Sequence, residues 1–190
     1  MSSEPTRRLF FALWPDERMQ TALAGATRGT TEAIDGRAIP TVNLHLTLAF
    51  LGSVLETRIA ALTPIAAQVA AAFPQSLAPI DVTLDTVEYW RKPELLCATA
   101  SAPAPGAAAL AHALKSALVT GGFTPDLKPF RVHATLARKV RRVSGELSVA
   151  PVRWTFADFR LIESRAGRSG SAPGSSYSTR EKWALYESRC

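Results

Sequence analysis

Cysteine is scarce in this chain of 190 residues, which contains two. Cys97 lies inside an apolar run and Cys190 is the last residue, so the sequence predicts neither a disulfide framework nor a CxxC metal motif. A chain of this length can bury enough surface to fold without covalent links. Because low cysteine usage is typical of a protein from a reducing compartment, we expect a cytoplasmic protein.

Long hydrophobic runs are also missing. The segment Arg8 to Trp14 (RLFFALW) is too short for the apolar part of a signal peptide. The Ala-rich stretch 59–73 is interrupted by Thr63, Pro64 and Gln68, so it favours a buried amphipathic helix over a membrane span. We therefore expect no leader peptide and no association with a membrane.

Acidic residues are fewer than basic ones, 16 against 22, which gives a net charge of +6 and a pI near 9.8. Such an excess favours polyanionic partners through Coulomb attraction and counterion release. Solubility alone explains so modest an excess equally well. The apolar share of 47% is ordinary for a globular protein, and charge by itself does not select a function.

The order of predicted elements indicates the fold class. Hydrophobic periodicity predicts helices near 15–29, 56–73 and 107–119, and strands near 8–14, 43–51, 80–87, 94–101, 130–137, 152–162 and 183–186. Residues 36–40 and the Gly/Ser-rich stretch from Arg165 to Ser176 are predicted to be loops. Helices mixed with adjacent strands favour an α+β fold with antiparallel sheets. We expect one domain over residues 1–190, built from two similar halves.

Histidine is scarce too, and two of the three histidines occur in one repeated frame. Asn43 to Phe50 (NLHLTLAF) and Arg131 to Arg138 (RVHATLAR) share the pattern H-x-T-L-A, with His45 and His133 at the same place. His112 lies in the helical context ALAHALK without a threonine partner, so we interpret it as a surface or packing residue. Either motif alone is adequately explained as a core strand, but the pair indicates a shared site.

Strand geometry separates the polar from the apolar residues of each motif. Because side chains alternate along a strand, His45, Thr47 and Ala49 are predicted to share one face, with the intervening leucines on the other. The second motif gives the same prediction for His133, Thr135 and Ala137. The apolar face would fix each His-Thr pair on a rigid element, as a reaction centre requires.

Two opposed histidines can divide the roles of acid and base, since imidazole titrates near neutral pH. Threonine hydroxyls beside them can donate hydrogen bonds to the non-bridging oxygens of a phosphate. This arrangement requires no metal and no cofactor. A zinc site is less favoured because no third ligand has suitable spacing, and a threonine nucleophile is less favoured because no orienting residue is evident.

The segments RLFFALWP, NLHLTLAFLG and KPFRVHATLAR together resemble the two-histidine phosphoesterase superfamily, specifically the LigT-like RNA 2′,3′-cyclic phosphodiesterases. The resemblance extends over most of the chain, with Val132 in place of the usual proline before the second histidine. It implies a bilobal fold with a central cleft between antiparallel sheets and with helices packed outside. It also implies metal-independent hydrolysis of RNA 2′,3′-cyclic phosphates to 2′-phosphomonoesters, with reverse 2′-5′ ligation as a side activity.

The same resemblance implies residue roles. His133 would be the general base that activates water, His45 the acid that protonates the departing 3′ oxygen, and Thr47 and Thr135 the residues that hold the phosphate. The alternation of side chains does not distinguish which histidine is the acid.

Three further residues are candidates near the motifs. Arg138 begins the basic run RKVRR and is predicted to contact phosphate, with the rest of the run attracting RNA. Phe11 is a candidate to stack on a base, because the family uses aromatic residues in that region. Phe50 is expected in the core by strand alternation, and Tyr177 is placed near the pocket by its position only.

Two other functions remain open at this point. The chain could be a non-catalytic RNA or nucleotide binder, which its basic balance would suit, or it could apply the same chemistry to another cyclic phosphate or a 2′-5′ oligonucleotide. We expect a monomer with no obligate protein partner.

Overall fold

The computed structural model describes residues 4–144, 147–165 and 176–186. Most of the predicted loop between Arg165 and Ser176 lies outside the described residues. The strands are β1 (Thr6–Leu13), β2 (Ile34–Ala38), β3 (Leu46–Leu55), β4 (Ile80–Leu84), β5 (Thr86–Trp90), β6 (Leu95–Thr99), β7 (His133–Val143), β8 (Val152–Phe156), β9 (Asp158–Arg165) and β10 (Ser176–Ala184). The helices are α1 (Glu17–Ala26), α2 (Arg28–Glu32), α3 (Leu62–Ala71) and α4 (Pro105–Thr120), with short 3₁₀ segments at Thr41–Asn43, Glu56–Ala61 and Gln75–Leu77.

The antiparallel α+β prediction is confirmed, and the strands form two sheets. The large sheet has the order β10-β9-β1-β3-β7-β6-β5, with β2 paired to β7, and β4 pairs with β8 in a second sheet. All of these pairings are antiparallel. The central strands β3 and β7 are in register at one residue pair, Leu46 with Ala134. The large sheet therefore consists of two halves joined at a narrow contact.

The two halves repeat one arrangement. The three strands β9, β1 and β3 form one half and β5, β6 and β7 form the other. In the first, α1 follows β1 and precedes β3, and in the second, α4 lies between β6 and β7. Each half thus carries its His-x-Thr segment on the strand that meets the other half, which places both motifs at the centre of the molecule.

Among the predicted segments that differ from the observed ones, two have a local reason. The predicted loop 36–40 contains part of β2, where Gly36 forms an irregularity opposite β7. A Cβ at Gly36 would lie 2.8 Å from the side chain of Val140, so the strand tolerates only glycine there. The predicted strand 80–87 divides at Asp85, whose carboxylate accepts a hydrogen bond from the Ser101 amide at 2.8 Å. The predicted strand 152–162 likewise divides between β8 and β9.

The helices α3 and α4 pack against strands of the large sheet, and α1 packs against β8 of the second sheet. The helix α4 buries Leu110, Leu114 and Leu118 completely, as its spacing predicts, and it packs on α3 and β3. Full burial of one such side chain contributes about 1.5–3 kcal/mol relative to exposure. The helix α1 begins where Asp16 accepts a hydrogen bond from the Met19 amide at 2.8 Å. No helix in the described part of the chain has the length and apolarity needed to cross a bilayer.

Candidate active site

The contact between β3 and β7 orients both motifs. Leu46 and Ala134 are paired and fully buried, so the residues on either side of each point to the opposite face of the sheet. That face forms the cleft. Because the two strands are antiparallel, His45 lies opposite Thr135, and Thr47 lies opposite His133. The structure thus brings the four predicted residues to one face, each of them partly buried.

A one-residue bulge follows the threonine in each motif. Two consecutive residues of β1 pair with Thr47 and Ala49 of β3, so the pairing passes over one residue of β3. In the same way, two consecutive residues of β6 pair with Thr135 and Ala137 of β7. The alternation of side chains shifts by one residue at each bulge. Ala49 and Ala137 therefore point into the core, where they are 1% and 0% exposed, and the prediction that they share a face with the histidines is wrong.

The same bulges turn Phe50 and Arg138 toward the cleft. Phe50 packs beside Phe10 and carries the Arg8 guanidinium 4.9 Å above its ring, so the prediction that it belongs to the core is wrong. Arg138 is exposed, and its Nη2 lies 3.5 Å from the hydroxyl of Tyr177. Phe50 and Arg138 occupy equivalent places in the two halves, one apolar and the other cationic.

Both histidines are anchored in the same way. Nδ1 of His45 lies 2.7 Å from the Asn43 carbonyl oxygen, and Nδ1 of His133 lies 2.8 Å from the Arg131 carbonyl oxygen. Because a carbonyl can only accept, we assign the proton of each neutral ring to Nδ1. Nε2 of each ring is then left to accept a proton as a base, or to donate one when the ring is charged.

The ring of His45 lies in an aromatic cage. Trp14 stacks on it at 4.9 Å between centroids with an interplanar angle of 6°, and Phe10 stacks at 5.0 Å and 29°. Tyr177 meets it edge-on at 5.4 Å. Sequence reasoning missed Phe10 and Trp14, although strand alternation from the buried Phe11 could have found Phe10. The cage fixes the plane of the imidazole and covers its faces.

Phe11 itself does not reach the cleft. Its ring is completely buried and packs against Phe159 and Trp183 at 6.1 and 5.9 Å between centroids. The prediction that Phe11 stacks on a nucleobase is wrong, because alternation along β1 directs Phe10 to the cleft and Phe11 to the core.

The electrostatic surroundings lower the pKa of both histidines. The pKa of His45 is lowered to about 4, mainly by burial; the hydrogen bond to Asn43 opposes this effect, and the positive charges of Arg138 and His133 add to it. Burial also lowers the pKa of His133, as does the charge of Arg131, whose carbonyl opposes the change. Both rings therefore favour the neutral form in the free protein, and the pKa of His45 also depends on charges carried by the second motif strand.

A polar network supports His133. The ring of Trp90 lies 4.8 Å from that of His133, and the Arg131 guanidinium lies 5.2 Å from the Trp90 ring. Nη2 of Arg131 donates to both carboxylate oxygens of Glu88, at 2.5 and 2.7 Å. Glu88 also accepts from the Trp90 indole at 2.9 Å. Hydrogen bonds from Trp90, Thr99 and Arg131 lower the pKa of Glu88, so the network is charged at neutral pH.

Thr135 has a partner that Thr47 lacks. Cys97 is the cross-strand neighbour of Thr135 and is hydrogen-bonded to it, whereas Ala12 is the neighbour of Thr47. Burial raises the pKa of the Cys97 thiol to about 12, so the sulfur keeps its proton. The hydrogen bond with Thr135 acts against this rise.

The fold and the site define a class of protein: an antiparallel α+β fold with two His-x-Thr strands meeting at its centre. The family model of the 2′-5′ RNA ligase superfamily matches residues 15–168, and the chain belongs to that superfamily. The RNA 2′,3′-cyclic phosphodiesterase of Escherichia coli (strain K12) is 32% identical over 189 residues, which cover 96% of this chain and 98% of the relative. The resemblance inferred from the motifs is confirmed.

Solved structures show the same fold. The crystal structure of E. coli LigT with 3′-AMP has a TM-score of 0.81 and 26% identity, covering 96% of this chain and all of that one. A crystal structure described as a phosphoesterase gives 0.82 at 27% identity over the same shares. The crystal structure of TT0787 from Thermus thermophilus gives 0.72 at 26% identity, again over 96% of this chain and all of that one.

Proposed function

We propose that this protein hydrolyses RNA 2′,3′-cyclic phosphate ends to 2′-phosphomonoesters, without a metal ion, by acid and base catalysis from His45 and His133. One observation carries the proposal: two imidazoles on one face are each anchored through Nδ1 to a backbone carbonyl, which leaves both Nε2 atoms for proton transfer. Membership of the 2′-5′ RNA ligase superfamily and the 32% identity to an RNA 2′,3′-cyclic phosphodiesterase support this substrate class.

The reaction needs two proton transfers. Nε2 of His133 accepts a proton from water as the water oxygen bonds to phosphorus. The bond from phosphorus to the 3′ oxygen breaks, and Nε2 of His45 donates its proton to that oxygen. The product carries a 2′-phosphate and a free 3′-hydroxyl. The two histidines end in exchanged protonation states, which solvent restores before the next turnover.

Three side chains hold the phosphate in this proposal. The hydroxyls of Thr47 and Thr135 donate to the non-bridging oxygens, where negative charge increases in the transition state. Arg138, which the bulge in β7 directs to the cleft, adds a charge-assisted hydrogen bond.

The role of His45 as the acid depends on the substrate. With a pKa of about 4, His45 is largely neutral in the free protein at pH 7. A bound phosphate anion favours the charged imidazole and raises this pKa. Substrate binding thus supplies the proton donor, while His133 stays neutral because Arg131 and the newly charged His45 both oppose its protonation.

Joining of two RNA ends follows from the same residues. If the 5′-hydroxyl of a second RNA replaces water, His133 would deprotonate that hydroxyl as its oxygen bonds to phosphorus. His45 would again protonate the departing 3′ oxygen, and the product is a 2′-5′ linkage. The 2′-5′ RNA ligase superfamily is named after this joining reaction, which supports the proposal of a side activity.

The test is product analysis from adenosine 2′,3′-cyclic phosphate in the presence of EDTA. We expect adenosine 2′-phosphate as the product. Adenosine 3′-phosphate would show that the 2′ oxygen leaves and would overturn the assignment of the leaving group. Binding without any product would favour the non-catalytic RNA binder instead.

A further inference from the structure

A cationic group of residues extends beyond the histidines along the arm formed by β2 and β7, and it begins at Arg138, which the proposed function already places on the cyclic phosphate. Arg37 and Arg138 are direct partners in the antiparallel ladder, so both side chains lie on the same face. Like charges placed opposite each other on a sheet are destabilising. Further along the arm, Asp35 is opposite Arg142, which is the favourable combination. The Arg37–Arg138 pair is therefore an arrangement that folding alone does not favour.

No carboxylate compensates this pair in the part of the chain that the structure describes. Within the described ranges, neither Arg37, Arg138 nor Lys139 lies within ion-pair distance of an aspartate or glutamate. Lys139 has a φ of 54°, a left-handed conformation that a lysine adopts at a cost. Strained arrangements of this kind are held by the surrounding structure and cluster at catalytic and ligand-binding sites.

The three cations border one small cavity. Its volume is about 90 Å³, and its lining includes Arg37, Arg138, Lys139, Asn43 and Tyr177. Asn43 and Tyr177 both contact His45, so the cavity opens directly beside the first histidine. It is smaller than the roughly 300 Å³ that a drug-sized ligand requires, so it suits one compact group.

We propose that this cavity is a second phosphate subsite, which binds the 5′-phosphate group of the nucleoside that carries the cyclic phosphate. In RNA this group is the internucleotide phosphodiester, so the subsite would select a chain end over a free cyclic nucleoside. The inference rests on the proposed function, because the cyclic phosphate must occupy the histidine site. It goes further, since Arg37 and Lys139 take no part in the reaction.

Steady-state kinetics with three substrates test the subsite. Adenosine 2′,3′-cyclic phosphate has no second phosphate, its 5′-phosphorylated form has a monoester, and the dinucleotide ApA with a 2′,3′-cyclic end has a diester. We expect kcat/KM to be about tenfold higher for the substrates with a second phosphate, which corresponds to one charge-assisted hydrogen bond. A preference confined to the monoester would identify the ligand as a 5′-phosphorylated nucleotide and overturn the choice of RNA, whereas a preference for the diester would support RNA.

Matched variants separate the subsite from general charge effects. Arg37→Ala and Lys139→Ala should abolish the preference through KM and leave hydrolysis of the unphosphorylated cyclic nucleoside unchanged. Arg37→Lys should restore part of it. Arg142→Ala removes the same charge from the same arm, opposite Asp35, and should keep the preference. Arg37→Ala should also melt no lower than wild type, because it relieves a like-charge pair.

The failures are distinguishable. If the wild-type protein hydrolyses none of the three substrates, the proposed function is wrong. If it hydrolyses all three at equal efficiency, or if Arg142→Ala abolishes the preference as fully as Arg37→Ala, the subsite is wrong and the proposed function stands.

Discussion

Leu46 and Ala134 face each other across the two central strands, and each is the middle residue of a His-x-Thr motif. This single pair explains why the two motifs form one site. Because both side chains are completely buried, the histidine and threonine on either side of each must point into the cleft. Four side chains from distant parts of the sequence are therefore positioned by one contact between strands.

Phe10 and Phe11 are consecutive buried residues on opposite faces of β1, and their substitution should affect catalysis differently. Phe11→Ala should lower the free energy of unfolding by about 3–5 kcal/mol, because it leaves a cavity among buried aromatic rings. Phe10→Ala should also destabilise the fold, because Phe10 is buried, and in addition it removes one wall of the His45 cage and should lower the kcat of the folded protein, which Phe11→Ala should not. Chemical denaturation and kinetics on both variants provide the check. Loss of activity in Phe10→Ala that matches its loss of folded protein would contradict the role in positioning.

Protonation of His45 should make stability depend on pH. Burial lowers the pKa of His45 from 6.5 to about 4, so between these values the unfolded chain binds more protons there than the folded protein. Stability should therefore fall as pH falls through that window, by about 3 kcal/mol at most from this residue. Unfolding curves of wild type and His45→Gln between pH 7 and pH 4 measure the difference. Parallel pH dependences would show that His45 is not held neutral.

A bound phosphate should raise the pKa of His45. The imidazole resonances of the free protein and of its complex with adenosine 2′-phosphate can be followed by NMR as pH is changed. We expect the His45 titration to move upward by more than about one unit in the complex, because the anion favours the charged ring. His112, which is exposed on α4, provides a reference resonance from a histidine outside the cleft. An unchanged His45 would contradict its assignment as the proton donor.

Glu88 should influence catalysis without touching the reacting atoms. It binds Arg131 through two hydrogen bonds, and the carbonyl of Arg131 binds His133. Glu88→Gln should lower kcat/KM about tenfold by loosening the position of His133, and should displace the pH-rate profile. Asp81→Asn is the matched control, since Asp81 forms a similar exposed pair with Arg153 on the separate β4–β8 sheet.

Both substitutions remove a partly exposed ion pair, so each should change the free energy of unfolding by less than about 1 kcal/mol. If Asp81→Asn lowers activity as much as Glu88→Gln, the effect is general and Glu88 has no positioning role.

The sequence predicted the parts of the fold that follow from periodicity. The leucines of α4, the antiparallel α+β class and the common face of each His-Thr pair were all available from the spacing of residues. Side-chain alternation holds along a strand until a bulge interrupts it, and a bulge depends on how the neighbouring strand pairs. The placement of Ala49, Phe50 and Ala137 was therefore predicted wrongly, each beyond a bulge.

Contacts between distant segments could not be predicted from the sequence, for a different reason. The cage of Phe10, Trp14 and Tyr177 joins β1 with β10, and the opposition of Arg37 to Arg138 depends on the pairing of β2, which was predicted to be a loop. Gly36 permits that pairing, yet a glycine near a proline in the sequence is equally typical of a turn. Such sites become visible only when the register between strands is known.

The most direct test of the paired-histidine site is the rate of adenosine 2′,3′-cyclic phosphate hydrolysis in EDTA by three alanine variants, of His45, His133 and His112. We predict that His45→Ala and His133→Ala each lose at least about 100-fold in kcat, the usual contribution of one general acid or base. His112→Ala should retain wild-type activity. Near wild-type turnover by either cleft variant, or loss of wild-type activity in EDTA, would contradict the account.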